Sequence, residues 1–417
     1  MIRRTIYPEL LSHLDNPRIS VLIGPRQVGK TTLIRQLEKH LKENGKRTLY
    51  LNLDTESDFR LVRTQTELLQ RIKLEVGEDS ATVFIDEIQR KENAGKFLKG
   101  IYDQNLPYKF VVTGSGSLEL KASVSESLAG RKRVFEISPI SFAEFFDYRT
   151  DYRYEGKISE YFALESIAAG VLLQEYLSFG GYPDVIIAET QKEKQILIDE
   201  LFTAYVDRDI VSLLGIERRQ AFVLMLRLLA DRQGQPMNYT KLANEVNLSV
   251  ATLKNYLEYA EQTFIIKSVN PYFSNTGKSL VKASQYYFLD LGLAAYARGT
   301  FSYLAEDDPK IGYVFQHFVF QLLRDIADEK SWILQYWRTR DGAEVDFILN
   351  AITEVYPIEV KWSNKPQRSV TRSMRSFVTA HHPNRAFVAQ RFKQHYLDKP
   401  EGIEAVPWHT LKDIFRQ

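Results

Sequence analysis

The sequence predicts an α/β protein in which a doubly wound parallel sheet comes first and a smaller α/β unit comes last. Two observations predict this. Through the first 150 residues, short β-branched apolar runs alternate with segments of 3.6-residue apolar period, the pattern of parallel strands buried between helices. After residue 310, a striped helix precedes strands that carry acids and a lysine. At 417 residues with 44% apolar side chains the chain is long enough for about three domains. The 55 Lys and Arg against 53 Asp and Glu leave a net charge of +2, so any signal for a polyanion must be local. No cysteine is present. That excludes disulfides, thiolate zinc sites and cysteine nucleophiles, and it fits a reducing cytoplasm. No window of about 18 apolar residues predicts a membrane span, and no apolar run follows Arg3 and Arg4 to predict a signal peptide.

Residues 19–23 are β-branched at three of five positions and read as a buried parallel strand. Gly24-Pro25-Arg26-Gln27-Val28-Gly29-Lys30-Thr31 follows at once and fills every fixed position of the P-loop pattern GxxxxGK[ST]. Residues 32–41 then have helical spacing, with Leu33, Ile34, Leu37 and Leu41 apolar. The glycines allow the backbone to approach phosphate, and the loop amides and helix N-terminus present partial positive charge to it. Lys30 is placed to reach the β- and γ-phosphates, and the Thr31 hydroxyl to ligate Mg²⁺. Residues 82–85 form a second apolar strand that ends in Asp86-Glu87, about 55 residues after the P-loop. Asp86 is expected to hold Mg²⁺ through water, and Glu87 to act as general base on the attacking water. Strands at 47–53, 109–113 and 132–137 complete a five-stranded sheet. Thr113 and Ser115 follow the strand residues Phe110-Val111-Val112. They sense a γ-phosphate or simply form a Ser/Gly turn.

The P-loop run together with Thr32-Leu33, Asp86-Glu87-Ile88-Gln89, Thr113-Gly114-Ser115, Ser127-Leu128-Ala129-Gly130-Arg131 and Pro139-Ile140-Ser141-Phe142 resembles the bacterial and archaeal AAA-type ATPases (AAA_14-like core) that carry a DUF4143 C-terminal region. The resemblance continues through Gly180-Gly181-Tyr182-Pro183 and Asp207-Arg208-Asp209-Ile210. It implies ATP binding with Mg²⁺ by residues 24–32 and Thr113, and, by analogy, a homo-oligomer such as a hexamer. It also marks Arg131 as nucleotide-linked, where an arginine stabilises transition-state charge in cis or across a subunit boundary. The plain alternative is a surface arginine within Arg131-Lys132-Arg133.

Residues 158–232 show only helical periodicity, broken at Gly180-Gly181, and predict a helical lid. Leu242, Ala243 and Val246 mark a short helix, Asn247 a tight turn, Ser249 an N-cap, and Val250, Leu253, Leu257 and Ala260 a second helix. This predicts a helix-turn-helix. Strands at 264–272 and 285–289 would form its wing, around Asn275, Gly277 and Lys278. Lys254 is the one base among the exposed positions of the recognition helix, with Lys267, Lys278 and Lys282 adding charge from the wing. Such modules bind DNA or serve as protein-interaction modules.

Residues 312–327 read as an apolar-striped helix and 332–337 as a strand. Glu344-Val345-Asp346-Phe347 and Pro357-Ile358-Glu359-Val360-Lys361 follow, with 13 residues from Asp346 to Glu359. That order resembles the PD-(D/E)xK nuclease core. Alternate strand positions share a face, so Glu359 and Lys361 point together, opposite Asp346. Two carboxylates suit Mg²⁺ or Mn²⁺, Lys361 would orient the nucleophile or neutralise charge, and Glu344 would add a third acid. Nuclease-type members of the family carry a Glu on the first helix, where this chain has Gln316, and an amide supplies no charge. Residues 361–393 hold Lys361, Lys365, Arg368, Arg372, Arg375, Arg385, Arg391 and Lys393 with no acid. Arg368, Arg372 and Arg375 would line one helical face and contact a phosphate backbone.

The expected organisation is therefore a P-loop AAA-type ATPase core at 1–150, a helical lid at 151–220, a winged helix-turn-helix at 221–300 and a PD-(D/E)xK-like domain at 301–417. The expected function is an Mg²⁺-dependent ATPase that binds duplex or branched DNA. The alternative is a nucleotide-controlled protein-interaction switch with a silent nuclease-like domain.

Overall fold

The computed structural model describes residues 1–115, 127–207, 218–273, 283–362, 370–391 and 402–416. Five strands form the first sheet: β1 (Ile19–Gly24), β2 (Thr48–Asn52), β3 (Ala81–Asp86), β4 (Tyr108–Ser115) and β5 (Lys132–Glu136). Their order is β2-β3-β4-β1-β5, and every pairing is parallel. All residues of β1 and β3 are buried, because helices cover both faces of a parallel sheet. The register sets Gly24 beside Ser115 and Asn52 beside Asp86. The P-loop and the acidic pair thus leave the sheet at the same edge.

The segment after Arg149 is helical, with helices Ile158–Leu164, Ser166–Phe179, Pro183–Ile187, Gln191–Ala204 and Arg219–Asp231. Gly180 and Gly181 end the second of these for a steric reason. A Cβ on Gly180 would lie 2.4 Å from the Gly292 nitrogen, and one on Gly181 would lie 2.2 Å from the Ile140 carbonyl oxygen. Buried Asp290 fastens this crossing. Its carboxylate accepts the N–H of Gly181 at 2.7 Å and caps the Leu291–Ala297 helix through the Leu293 N–H at 2.7 Å.

Helices Tyr239–Glu245 and Val250–Gln262 are joined through Asn247, whose φ is +53°, and Ser249 caps the second by accepting the Thr252 N–H. The local signals for a helix-turn-helix thus produce two helices at those positions. β6 (Ile266–Pro271) and β7 (Gln285–Phe288) pair antiparallel. The expected wing tip, with Asn275, Gly277, Lys278 and Lys282, lies outside the described residues.

β6 does more than close a hairpin, because it also pairs in parallel with β8 (Ile333–Arg338). With β9 (Glu344–Asn350), β10 (Val355–Lys361), β11 (Ala386–Gln390) and β12 (Ile403–Pro407) this gives a seven-stranded sheet of order β12-β11-β10-β9-β8-β6-β7. The expected boundary at residue 300 therefore runs through one hydrogen-bonded sheet. The Ile311–Lys330 helix lays Phe315, Phe318, Val319 and Leu323 into the core that also holds Phe347, Leu349, Ile358 and Val360. An aromatic cluster of Phe142, Phe162, Tyr176, Phe318 and Trp408 ties this unit to the N-terminal one, with Trp408 5.0 Å from Phe142 and 4.8 Å from Phe318 between ring centroids. No helix among the described residues is long and apolar enough to cross a membrane.

Candidate nucleotide site and a second acidic site

The P-loop is built by backbone constraint. A Cβ on Gly24 would lie 2.2 Å from the Ile137 carbonyl oxygen, so only glycine fits where β1 turns into the loop. Gly29 sits at φ +92° as the N-cap of the Lys30–Glu43 helix, a conformation that glycine adopts without a Cβ clash. Gln27 also takes a positive φ of 58°. Pro25 and Val28 are buried, Arg26 is half-buried, and Thr31 and Thr32 open the helix at the surface. Buried Lys30 donates to the carbonyls of Gly24 at 3.0 Å and Pro25 at 2.6 Å, so its ammonium lies inside the loop.

Thr31 Oγ1 donates to Asp86 Oδ2 at 2.8 Å across the gap between β1 and β3. The same carboxylate oxygen accepts the Tyr50 hydroxyl at 2.7 Å, and Thr113 Oγ1 donates to Oδ1. Thr113 Oγ1 in turn accepts the Glu87 N–H at 3.1 Å. Thr113 therefore clamps both members of the acidic pair. Glu87 sits at φ +57°, ψ +44°, a region non-glycine residues seldom occupy, and strained backbone of this kind gathers at working sites. Tyr50 carries no motif. The sheet register brings it to the site: it shares a strand face with Asn52, the partner of Asp86.

Arg131 is not brought to this cluster. It precedes β5 at the edge where Ile19 begins β1, and its guanidinium pairs with Asp103 at 2.6 Å. Five residues of strand, roughly 16 Å, separate that edge from Gly24, so the expected role on the chain's own nucleotide is corrected. Ser127 to Gly130 lie beside it, and the Ser115 side chain and residues 208–210 lie outside the described set.

Residues 16–146 match the family model described as an AAA domain. The N-terminal unit is thus similar to AAA-type P-loop NTPase cores. Two further models match beyond it, a domain of unknown function (DUF8612) over residues 171–303 and a domain of unknown function (DUF4143) over residues 311–411. An uncharacterized protein of Mycobacterium tuberculosis is 28% identical over 377 residues, covering 90% of this chain and 76% of its own length. Uncharacterized relatives in Haemophilus influenzae (25% over 421 residues, 98% of each chain) and Methanocaldococcus jannaschii (25% over 338 residues, 80% and 72%) extend the similarity beyond the NTPase core. Among solved structures, the ADP form of Aeropyrum pernix ORC2 aligns over 72% of this chain and 94% of its own, at 11% identity and a TM-score of 0.34. AMPPCP-bound DnaA of Aquifex aeolicus aligns over 62% and 86%, at 15% identity and a TM-score of 0.25. Nothing about function follows from likeness this slight.

At the C-terminal sheet, the β9–β10 ladder ends at Phe347 and Ile358. Beyond it the Asp346 carboxylate, rather than a carbonyl, takes the Val360 N–H at 2.7 Å. Glu359 and Lys361 follow Ile358 on β10, and Asp346 precedes Phe347 on β9. Lys361 Nζ pairs with Glu359 Oε1 at 2.7 Å, and Thr371 Oγ1 donates to Glu359 Oε2 at 2.6 Å. Gln316 Nε2 reaches Asp346 Oδ1 at 3.2 Å. The expected Asp346, Glu359 and Lys361 are therefore brought together, with Gln316 beside them. Glu344 is not a third converging acid: Arg338 holds it at 3.0 Å and Gln285 at 3.1 Å. Among the described residues no group of three or more carboxylates or histidines converges to hold a metal. Tyr287 on β7, through Gln316, and Thr371, on Glu359, join this site with no signal in the sequence.

The basic run is thinned in the same way. Arg385 pairs with Glu404, Arg391 with Glu306 and Lys361 with Glu359. Thr371 caps the Arg372–His381 helix, so within that helix the expected stripe reduces to exposed Arg372 and Arg375. Arg368, Lys365 and Lys393 lie outside the described residues. Lys254 is exposed, with its ammonium over the Tyr239 ring.

Burial pushes the Asp346 carboxyl from its ordinary 3.8 up to about 7, against the opposing pull of the Val360 N–H and Lys361. The folded chain thus holds this proton more tightly than the unfolded chain. The resulting stabilisation is complete below the unfolded value and is lost as the pH rises through about 7. Asp346→Asn, which mimics the protonated form, is expected to match the wild-type Tm near about pH 4. It should overtake the wild type as the pH rises and keep a constant advantage above about pH 7. A Tm difference that does not vary with pH would show that Asp346 titrates as it does in the unfolded chain.

Proposed function

We propose that the chain is an Mg²⁺-dependent ATPase that acts on DNA. The observation that carries the ATPase reading is the 2.8 Å bond between Thr31 and Asp86 beside Lys30 and Glu87. It supports the reading because two oxygens lie together as a cation on a triphosphate would need, and the donor set is all oxygen, which suits Mg²⁺. Mg²⁺ bound there would neutralise charge on the β- and γ-phosphates. Residues 24–32 would cradle the phosphates, Lys30 would exchange its carbonyl partners for phosphate oxygens, and Glu87 would take the proton from the attacking water. Arg131 has no part at the chain's own γ-phosphate, so any catalytic role for it requires a neighbouring subunit in a homo-oligomer such as a hexamer.

The DNA reading rests on the helix-turn-helix elements with Lys254, read as a winged helix, and on Arg372 and Arg375. Both arginines are exposed and stand in the first turn of their helix, where a cation opposes the helix dipole. Their charge therefore does not serve the helix and is open to an anionic partner. The C-terminal unit is read as a PD-(D/E)xK-like fold that binds rather than cuts. Gln316 donates to Asp346, Lys361 is paired to Glu359, and Glu344 is held away. Its boundary with the winged helix is placed at residue 300 for naming only, since β6 and β8 are joined.

ATP turnover measured beside linear duplex, single-stranded and four-way-junction DNA at low salt tests the proposal. DNA is expected to stimulate hydrolysis. Arg372→Ala and Arg375→Ala should each weaken binding and flatten the slope of log K against log salt by about 1. DNA that neither binds nor stimulates sinks the DNA half and leaves the protein-interaction switch.

A further inference from the structure

Residues 137–141 join β5 to the Phe142–Arg149 helix, and several separate parts of the molecule grip them. On the nucleotide side, the Ile137 N–H donates to Ile23 at 2.7 Å and the Ile137 carbonyl closes over Gly24. Arg4 donates through Nη2 to the Ser138 carbonyl at 2.6 Å and through Nη1 to the Val28 carbonyl of the P-loop at 2.8 Å. Its Nε is held by Glu144 at 3.2 Å. On the lid side, the Ile140 N–H donates to Gly181 at 2.7 Å, and the Tyr176 hydroxyl donates to the Ile140 carbonyl at 2.7 Å. On the C-terminal side, Arg324 Nη2 donates to Ser138 Oγ at 3.2 Å and to Asp325 at 2.9 Å.

Arg324 is 8% exposed, and its Nε and Nη1 have no hydrogen-bond partner among the described residues. Asp328 approaches Nε only to 3.9 Å. The hydrogen bonds of Nη2 are therefore what fixes this buried guanidinium, and one of them reaches into the N-terminal core. Arg324 stands on the Ile311–Lys330 helix. Gln316, about 12 Å earlier on that helix, holds Asp346 of the acidic site.

We propose that the 137–141 connector is a relay that couples nucleotide at the P-loop to the long Ile311–Lys330 helix and, through Gln316, to the acidic site. The proposal rests on the ATP-binding reading. When Lys30 leaves the Gly24 and Pro25 carbonyls for phosphate, the loop re-forms around new partners and the Val28 carbonyl moves with it. The planar guanidinium of Arg4 holds Val28 and Ser138 in one fixed geometry, so a shift of the first displaces the second. The connector has no slack to absorb that shift, because Gly24 and Gly181 both leave no space for so much as a Cβ against it. Ser138 then carries the shift to Arg324. This also gives a physical purpose to Pro139-Ile140-Ser141-Phe142 and Gly180-Gly181-Tyr182-Pro183, neither of which lies among the phosphate-binding residues.

Contiguous contacts become coupling only where both sites bias the same element, and amide hydrogen exchange of the full chain reads that bias. With a non-hydrolysable ATP analogue and Mg²⁺, the wild type is expected to change protection at residues 24–37 and also at 311–330 and 344–361. In Ser138→Ala and in Arg324→Gln the change at 24–37 should persist, which shows the fold and the nucleotide site intact, while the change at 311–330 is lost. A wild type that responds only at 24–37, or variants that keep the full response, overturns the relay and leaves the ATP reading standing. No response at 24–37 in the wild type overturns both.

Discussion

Lys30→Ala is expected to reduce ATP hydrolysis by about 10²–10³-fold, the loss seen when one preorganised donor to a developing anion is removed. Lys30 is buried inside the loop with its ammonium on the carbonyls of Gly24 and Pro25. Those bonds keep its charge where phosphate must enter, and alanine supplies none. Glu87→Gln should act differently. It preserves the left-handed turn and the Glu87 N–H bond to Thr113, so nucleotide still binds, while removal of the base slows turnover by about 10²–10⁴-fold. Isothermal titration with ATP and Mg²⁺ alongside steady-state turnover separates the two. Wild-type turnover in either variant would exclude the proposed site.

The second large effect concerns the joint between lid and C-terminal unit. Asp290→Ala is expected to lower the unfolding free energy by on the order of 3 kcal/mol in urea titration. The Asp290 carboxylate is 2% exposed and accepts the N–H groups of Gly181 and Leu293. Alanine would leave those buried donors without acceptors, which is worse than never having formed the bonds. Asp290→Asn keeps one acceptor oxygen but turns an amide donor toward the other N–H, and should fall between the two. A loss below about 1 kcal/mol for the alanine variant would mean that water or a local shift satisfies both groups.

Local patterns marked most of the candidate nucleotide site. A P-loop is contiguous, so its glycines, Lys30 and Thr31 are all written in one short run. Asp86-Glu87 is legible because an apolar strand that ends in two acids is a local pattern. Tyr50, Arg4 and Ser138 were not legible, since each works through a partner far away in the chain: Tyr50 on Asp86, Arg4 on Val28, Ser138 on Arg324. Arg131 is the converse case. The family resemblance linked it to nucleotide, but strand direction carries it to the opposite edge of the sheet, which leaves only a role across a subunit boundary. In the C-terminal unit, parity placed Asp346, Glu359 and Lys361 together. It said nothing of Arg338 and Gln285, which draw Glu344 away.

What the sequence determined by itself is the set of local elements: the glycine-rich turn after β1, the strands with their acids, and the capped helices around Asn247. These follow from backbone sterics and periodicity, which act over a few residues. Only the tertiary structure decided that β6 joins the C-terminal sheet, that the basic run keeps only part of its free charge, and that one connector touches the P-loop, the lid and the long helix together. Ion pairing and close packing depend on distance in space, and residues as far apart as Ser138 and Arg324 become neighbours only when the whole chain has folded.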